Sequence, residues 1–293
     1  MKDIFLVRFF LFSFTCLSLF ACEDEIDVDL DEGAAQLVVD AFLSSDSSQQ
    51  LIRLSSTAPY FLNEATPGVE GVSVKIIGPA NAEYVFQSQG NGSYTYNPTT
   101  NGAMDSIGAN YQLELIYEGE VFLANSKLNP VPPIDSMTVA FEEEELGAEE
   151  GYYTQFWARD FAGRKDYYWI KGFKNGVPIR EDNPASLILS EDAAFGGDGA
   201  DGFIFILPLR AAITNADDPF QVGDLSSVEL YSLNEEVFEY LDQVTIQANN
   251  GGLFSTPPAN IRSNIRDANG NLQEKVLGVF SMSSVSRNQI QIQ

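Results

Sequence analysis

Tyr111-Gln112-Leu113-Glu114-Leu115-Ile116-Tyr117 alternates, turns at Glu118-Gly119-Glu120 and resumes at Val121-Phe122-Leu123. A period of two sends successive side chains to opposite faces, the pattern of a half-buried strand. The same pattern recurs upstream. Val72-Ser73-Val74-Lys75-Ile76-Ile77 ends at Gly78-Pro79, Gln50-Leu51-Ile52-Arg53-Leu54 alternates, and Leu37-Val38-Val39 opens a β-branched run. Tyr84-Val85-Phe86 and Tyr94-Thr95-Tyr96 flank Gly90-Asn91-Gly92. Short strands divided by turn signals predict a β-sandwich over 35–129, of about seven strands in the immunoglobulin or transthyretin style.

Asn129-Pro130-Val131-Pro132-Pro133 is the best boundary, because three prolines in five residues suit neither a central strand nor a helix interior. Beyond it, 134–293 is predicted to be a second β-rich domain with one or two short helices. Tyr152 to Arg159 alternates, and Tyr167-Tyr168-Trp169-Ile170 runs to the hairpin turn Asn175-Gly176 and returns through Val177-Pro178-Ile179. Phe203-Ile204-Phe205-Ile206-Leu207 reads as a central strand, Val228-Glu229-Leu230-Tyr231 as another, and 276–292 as one or two closing strands. One helix is predicted after Asn234, with that residue as its cap. Glu235 and Glu236 suit its positive end, and Val237, Tyr240, Leu241 and Val244 share one face.

The N-terminus reads as a targeting segment. Lys2 and Arg8 precede an apolar run, Phe9 to Ala21, that is too short for a comfortable membrane span. Leu19-Phe20-Ala21-Cys22 places a leucine three positions before a cysteine and a small residue directly before it, the pattern cut by lipoprotein signal peptidases. The expectation is a signal peptide over 1–21, lipidation of Cys22, and an acidic tether over 22–34. Glu23-Asp24-Glu25 flanks the cysteine with carboxylates rather than with the basic residues of a stop-transfer segment. This cluster resembles the surface-export signal of Bacteroidota lipoproteins.

Charge and composition narrow the chemistry. The 293 residues carry 16 basic and 42 acidic side chains, for a net charge of −26. Cleavage before Cys22 would remove Lys2, Arg8 and Asp3, leaving 14 basic and 41 acidic residues. Such a chain repels phosphate backbones, so no nucleic-acid partner is expected. It repels anionic head groups too, which leaves the lipid to hold it to a membrane. There is no histidine, and the two cysteines are Cys16 and Cys22. A domain after Cys22 with neither residue has no Ser-His-Asp or Cys-His nucleophile, no His-ligated zinc or haem, and no zinc finger. No cofactor is implied.

Four motifs bear on chemistry. Asp27-Val28-Asp29-Leu30-Asp31 opens like an EF-hand loop, but Glu32 stands at the glycine position and Val38 at the final ligand position. Gly196-Gly197-Asp198-Gly199-Ala200-Asp201-Gly202-Phe203-Ile204 fits one calcium-binding nonapeptide, with Asp198 and Asp201 as candidate ligands. That chemistry needs several stacked copies, and a glycine-rich loop before a strand is the plainer reading. Glu142 to Glu145, with Glu149 and Glu150, could supply carboxylates for glycoside hydrolysis, but an acidic loop is the expectation in so acidic a chain. Phe156, Trp157, Tyr167, Tyr168 and Trp169 could stack sugars, and core packing is the expectation.

Several segments, in their order and spacing, carry a resemblance. They are Leu37-Val38-Val39, Gly71-Val72-Ser73-Val74, Gly92-Ser93-Tyr94, Pro133-Ile134-Asp135-Ser136 and Tyr167-Tyr168-Trp169, followed by Val228-Glu229-Leu230-Tyr231-Ser232-Leu233. Pro257-Pro258-Ala259-Asn260-Ile261, Asn264-Ile265 and Leu277-Gly278-Val279-Phe280 complete the series. Together they resemble the Bacteroidota lipoprotein family of domain of unknown function 4249. The family supplies no catalytic residues. The resemblance implies an accessory component of the outer membrane, encoded beside TonB-dependent transporters.

The resulting expectation is a non-enzymatic, surface-exposed outer-membrane lipoprotein. It would bind a small molecule, peptide or glycan, or serve as an accessory to a TonB-dependent transporter. The alternatives are a carboxylate-only glycan hydrolase and a surface adhesion or structural protein.

Overall fold

A computed structural model describes residues 34–58, 65–180, 183–197, 199–251, 255, 261–272 and 275–293. The expected signal peptide, Cys22, the tether up to residue 33, Asp198 and the prolines 257 and 258 lie outside the described residues. Residues 35–293 form one compact unit.

The strands of the first half are β1 (Leu37–Ser44), β2 (Gln50–Ser56), β3 (Ser73–Ile77), β4 (Glu83–Val85), β5 (Gln87–Gly90), β6 (Ser93–Tyr96), β7 (Asn110–Tyr117) and β8 (Glu120–Lys127). After the prolines come β9 (Ile134–Glu142), β10 (Gly151–Ala158), β11 (Tyr167–Lys174), β12 (Val177–Pro178), β13 (Ile188–Glu191) and β14 (Leu225–Leu233). The last are β15 (Arg266–Asp267), β16 (Val276–Ser283) and β17 (Val285–Gln291). The α-helices among the described residues are α1 (Pro98–Asn101), α2 (Leu207–Ala211) and α3 (Glu235–Ala248). The fold is mainly β, as the alternation predicts.

Two five-stranded sheets, β16-β1-β2-β6-β5 and β15-β8-β7-β3-β4, enclose a core that includes Val39, Ile52, Tyr94, Leu113, Leu115 and Phe280. This is the expected sandwich, with strands taken from both halves of the chain. β16 lies parallel to β1, with Leu37 opposite Val276 and Val39 opposite Gly278. β15 pairs with β8. The proline segment is therefore a boundary in sequence that the sheets cross. Asn129 is pinned there, its carbonyl accepting from the Ser232 and Ser284 hydroxyls, each at 2.7 Å.

The third sheet, β12-β11-β14-β17 with β13 also on β11, stands beside the β9–β10 hairpin. Phe156, Tyr168, Ile170, Phe205, Val228 and Leu230 pack between them. Asn175 (φ 54°) and Gly176 (φ 79°) form the expected turn after β11. Strand β11 nevertheless finds its long partner in β14, antiparallel along its whole length.

Two local readings are corrected. Phe203 to Leu207 is not a central strand. Ile204 makes one isolated bridge to Arg159, Phe203 is exposed, and α2 begins at Leu207. Pro208 has no N–H for a ladder and its fixed φ suits a first helical turn, which ends the extended run. The predicted helix forms as α3, burying Val237 and Leu241. Asn234 occupies the cap position without a side-chain cap bond, because its amide lies against Ser126 and Asn129.

Candidate functional site: a charged groove between two sheets

The alternation that builds the two cores also leaves two outward faces. On β1, Val39, Ala41 and Leu43 point into the sandwich, leaving Asp40 and Phe42 outside. On β2, Ile52 and Leu54 point in and Arg53 out, directly opposite Asp40 in the ladder. In the third sheet, Tyr168, Ile170, Val228 and Leu230 are buried, so Trp169, Lys171, Glu229 and Tyr231 share the other face. Register pairs Trp169 with Tyr231, Lys171 with Glu229, and Glu229 with Arg287. The two faces enclose a groove of about 1120 Å³, rimmed by the 44–50 turn.

An aromatic cluster forms one wall. The Phe42 and Trp169 rings meet edge-on with centroids 5.4 Å apart, and Trp169 and Tyr231 are 6.1 Å apart. Lys171 Nζ sits 3.8 Å from the Trp169 ring centroid and 5.2 Å from that of Tyr231. Cation–π attraction in this range is strongest over tryptophan. One face of the indole is thus already occupied.

The charges divide into two groups. In the first, Asp40 faces two cations, Arg53 and Lys171. Surrounding protein raises the Asp40 carboxyl above its ordinary value, although the side chain keeps an open edge to solvent, and the two cations pull it back only in part. In the second, Arg287 faces two carboxylates. Its Nε donates to Glu229 at 2.6 Å and its other arm to Asp46 at 2.5 Å. Burial works against the Arg287 charge, and these two bonds outweigh it and raise its pKa. Burial raises Asp46 as well, but bonds from Ser48 and Arg287 bring it below the usual range. Tyr231 donates to the other Glu229 oxygen, and burial followed by that bond holds its phenol protonated.

Of the residues singled out from sequence, Trp169 lines the groove and the acidic candidates lie elsewhere. Asp201 sits in a turn where a single backbone donor, Gly163 N–H, is shared between its two carboxylate oxygens at 2.9 Å each, tying the two loops together. Near it, Asp160, Asp166 and Asp192 are buried together. Asp160 accepts from the Tyr168 hydroxyl at 2.6 Å and Gly202 N–H at 3.0 Å. Asp166 is clamped by Arg164 at 2.7 and 2.8 Å, and Asp192 accepts from Asp166 N–H at 2.8 Å. These carboxylates tie loops together. Among the described residues, no group of three or more acidic, His or Cys side chains is arranged to hold a metal. Glu142 to Glu145 and Glu149–Glu150 border the exposed β9–β10 connection, away from the groove.

The aromatic residues split. Phe156, Tyr167 and Tyr168 are buried. Trp157 and Trp169 are only half-buried, each capped by a cation, Arg210 over Trp157 at 4.0 Å and Lys171 over Trp169. The core expectation therefore fails for Trp157 and holds only in part for Trp169, which packs against the cluster of Tyr167, Leu233, Val237 and Val279 from the outward phase of β11. Sequence reasoning did not identify Asp40, Arg53, Lys171, Glu229 or Arg287. The usable signal was a charge and an aromatic two residues apart on the outward phase of β11, repeated on β14.

Among the described residues no helix is long and apolar enough to cross a membrane. A search of curated proteins found no match. The family described as Domain of unknown function (DUF4249) matches residues 23–289, nearly the whole length, and the chain belongs to that family.

Proposed function

We propose that this protein is a lipid-anchored, surface-exposed lipoprotein of the outer membrane that binds a ligand in the groove between its two outward sheet faces, as an accessory to a TonB-dependent transporter. The groove is the observation that carries the reading. Its volume of about 1120 Å³ lies just above the usual range for ligand sites, as an open groove does, and its lining combines aromatic walls with convergent charges. Leu19-Phe20-Ala21-Cys22 and the acidic residues after it support the anchor and the outward placement.

A carboxylate-only hydrolase is disfavoured by the same geometry. Both Glu229 oxygens are engaged, one by Arg287 and one by Tyr231. Glu229 thus has no oxygen poised to protonate a leaving group, and the one groove carboxyl with a raised pKa, Asp40, stands beside Arg53 and Lys171, which favour its ionised form. The test is affinity purification of the tagged full chain from solubilised outer membrane at native expression. Co-purification of a TonB-dependent transporter is expected, and its absence overturns the accessory role.

A further inference from the structure

We infer that the open edge of β9 receives an extended strand of another polypeptide, with basic residues at the strand end that meets the β9–β10 connection. This edge lies on the far side of the third sheet from the groove, because β17 turns Arg287 toward the groove and Ser286 and Asn288 toward β9. Strand capture here is independent of ligand binding in the groove.

β9 is nine residues long and pairs with β10 on one side. On its other side, Ser286 and Asn288 of β17 bond the Ile134 backbone at 2.9 and 3.0 Å. From Asp135 to Glu142, among the described residues, no hydrogen bond reaches the strand backbone from any element other than β10. Between those two acids the strand reads Ser136-Met137-Thr138-Val139-Ala140-Phe141, with neither charge nor proline. A row of unpaired N–H and C=O groups is a template for a further strand, and natural sheets blunt such rows with short strands, bulges, prolines and charges. This fold does so elsewhere. β4 has three residues and β15 two, β5 is bulged between Ser88 and Gly90, β12 includes Pro178, and Asn264 bonds the β16 backbone at Phe280. β9 has none of these devices over 136–141.

The side chains of β9 set what the added strand carries. Met137, Val139 and Phe141 share one face, where Met137 packs on the Phe156 core and Phe141, 55% exposed, meets Tyr152 edge-on at 5.2 Å. Ser136, Thr138 and Ala140 are exposed on the other. A strand matched to both faces alternates apolar and small polar residues. Charge selects its end. Glu142 to Glu145, Glu149, Glu150 and Asp217 gather at the hairpin end, where Glu149 N–H donates to the Ala216 carbonyl at 2.9 Å. None of these carboxylates has an ion-pair partner among the described residues, and the nearby Lys174 is bonded to Asp218 at 2.6 Å. A lysine or arginine on the incoming strand meets that unneutralised group. A second copy of this chain does not, because antiparallel pairing of β9 with itself over 136–141 sets Asp135 against Glu142.

The test is backbone hydrogen exchange of the full chain, read by mass spectrometry across a series of protein concentrations. The probe is a synthetic peptide with a core of alternating valine and threonine between pairs of lysines. A version with glutamates in place of the lysines, and a lysine version with prolines in place of the valines, form the other arms. In the free protein the outward amides of 135–142 should exchange quickly, and the lysine-flanked peptide should slow them saturably. Glutamate flanks should weaken binding about tenfold at low salt, a gap that closes as salt rises. The proline core, which lacks the ladder N–H groups, should not bind. Because the changes are on the peptide, the comparison does not depend on a variant folding. Outward amides already protected in the free protein at every concentration overturn the proposal, since the edge is then covered within the chain. Protection that grows with protein concentration alone overturns it in favour of a second copy. Equal binding of the lysine and glutamate peptides, or peptide protection absent from 135–142, overturns it as well.

Discussion

Asp166 and Asp192 share a buried corner with Asp160, and charge repulsion there has a measurable sign. Burial raises both above the ordinary 3.8. Arg164 offsets this for Asp166, a backbone N–H does so for Asp192, and neighbouring carboxylates add to the rise. A carboxyl with a raised folded pKa costs stability once pH passes that folded value. Below 3.8 both folded and unfolded forms are protonated and the cost is gone. Asp46 and Asp224 run the other way, stabilising above 3.8 and losing that contribution as pH falls through their lowered folded values. Asp192→Asn keeps an oxygen for Asp166 N–H and suits the positive φ of 50° at this position. It should raise Tm at pH 7 by about 2–4 °C, with the gain vanishing below pH 3.8, as read by calorimetry across pH. A lower Tm at pH 7 would contradict the repulsion argument. At this scale the sequence was least legible. Arg53, Lys171 and Glu229 look like ordinary solvent-facing charges within alternating strands. Only the meeting of two sheets makes them one site.

Strands were legible because alternation is a local property. β3, β7 and β8 follow directly from Val72–Ile77 and Tyr111–Leu123. The failure at Phe203–Leu207 is instructive, since five apolar residues suit a buried strand or a short irregular segment equally well. Pro208, just beyond the run, was the discriminating signal. The parallel β1–β16 pair depends on a detail that alternation does not convey. Gly278 has φ 97°, and a Cβ there would lie 1.9 Å from the Val39 carbonyl oxygen. Asn264 braces the other side of the strand, its amide donating to and accepting from the Phe280 backbone at 2.8 and 3.0 Å. Gly278→Ala should cost about 3 kcal/mol, from overpacking and backbone strain together. A shift in the urea midpoint measures it, and a loss under about 1 kcal/mol would mean that the pair can separate without penalty.

On the scale of the molecule, two domains in series is the natural reading of the proline boundary, and the sheets do not respect it. Ile265, Val276, Phe280 and Met282 all contribute to the core of the first sandwich. A fragment of 35–129 would lack these side chains and leave one edge of β1 unpaired. Such a fragment should show no cooperative thermal transition by circular dichroism, whereas 35–293 should melt in one. A cooperative melt of the fragment would show that the late strands are dispensable. The fold class could be read because it sums many local signals. Which strands sit side by side could not, because that choice is made by shape and burial across long separations.

The parallel contact between Leu37 and Val276 has a consequence in time. The earliest strand of the sandwich waits for one of the last. While the polypeptide is being made, β1 has its β2 neighbour but not its other one. Closing so long a loop is slow, because the entropic cost falls due before the contact gives anything back. A chain wired this way stays open until nearly all of it has been delivered, and then closes its two halves with consecutive strands, β16 on β1 and β17 on β14.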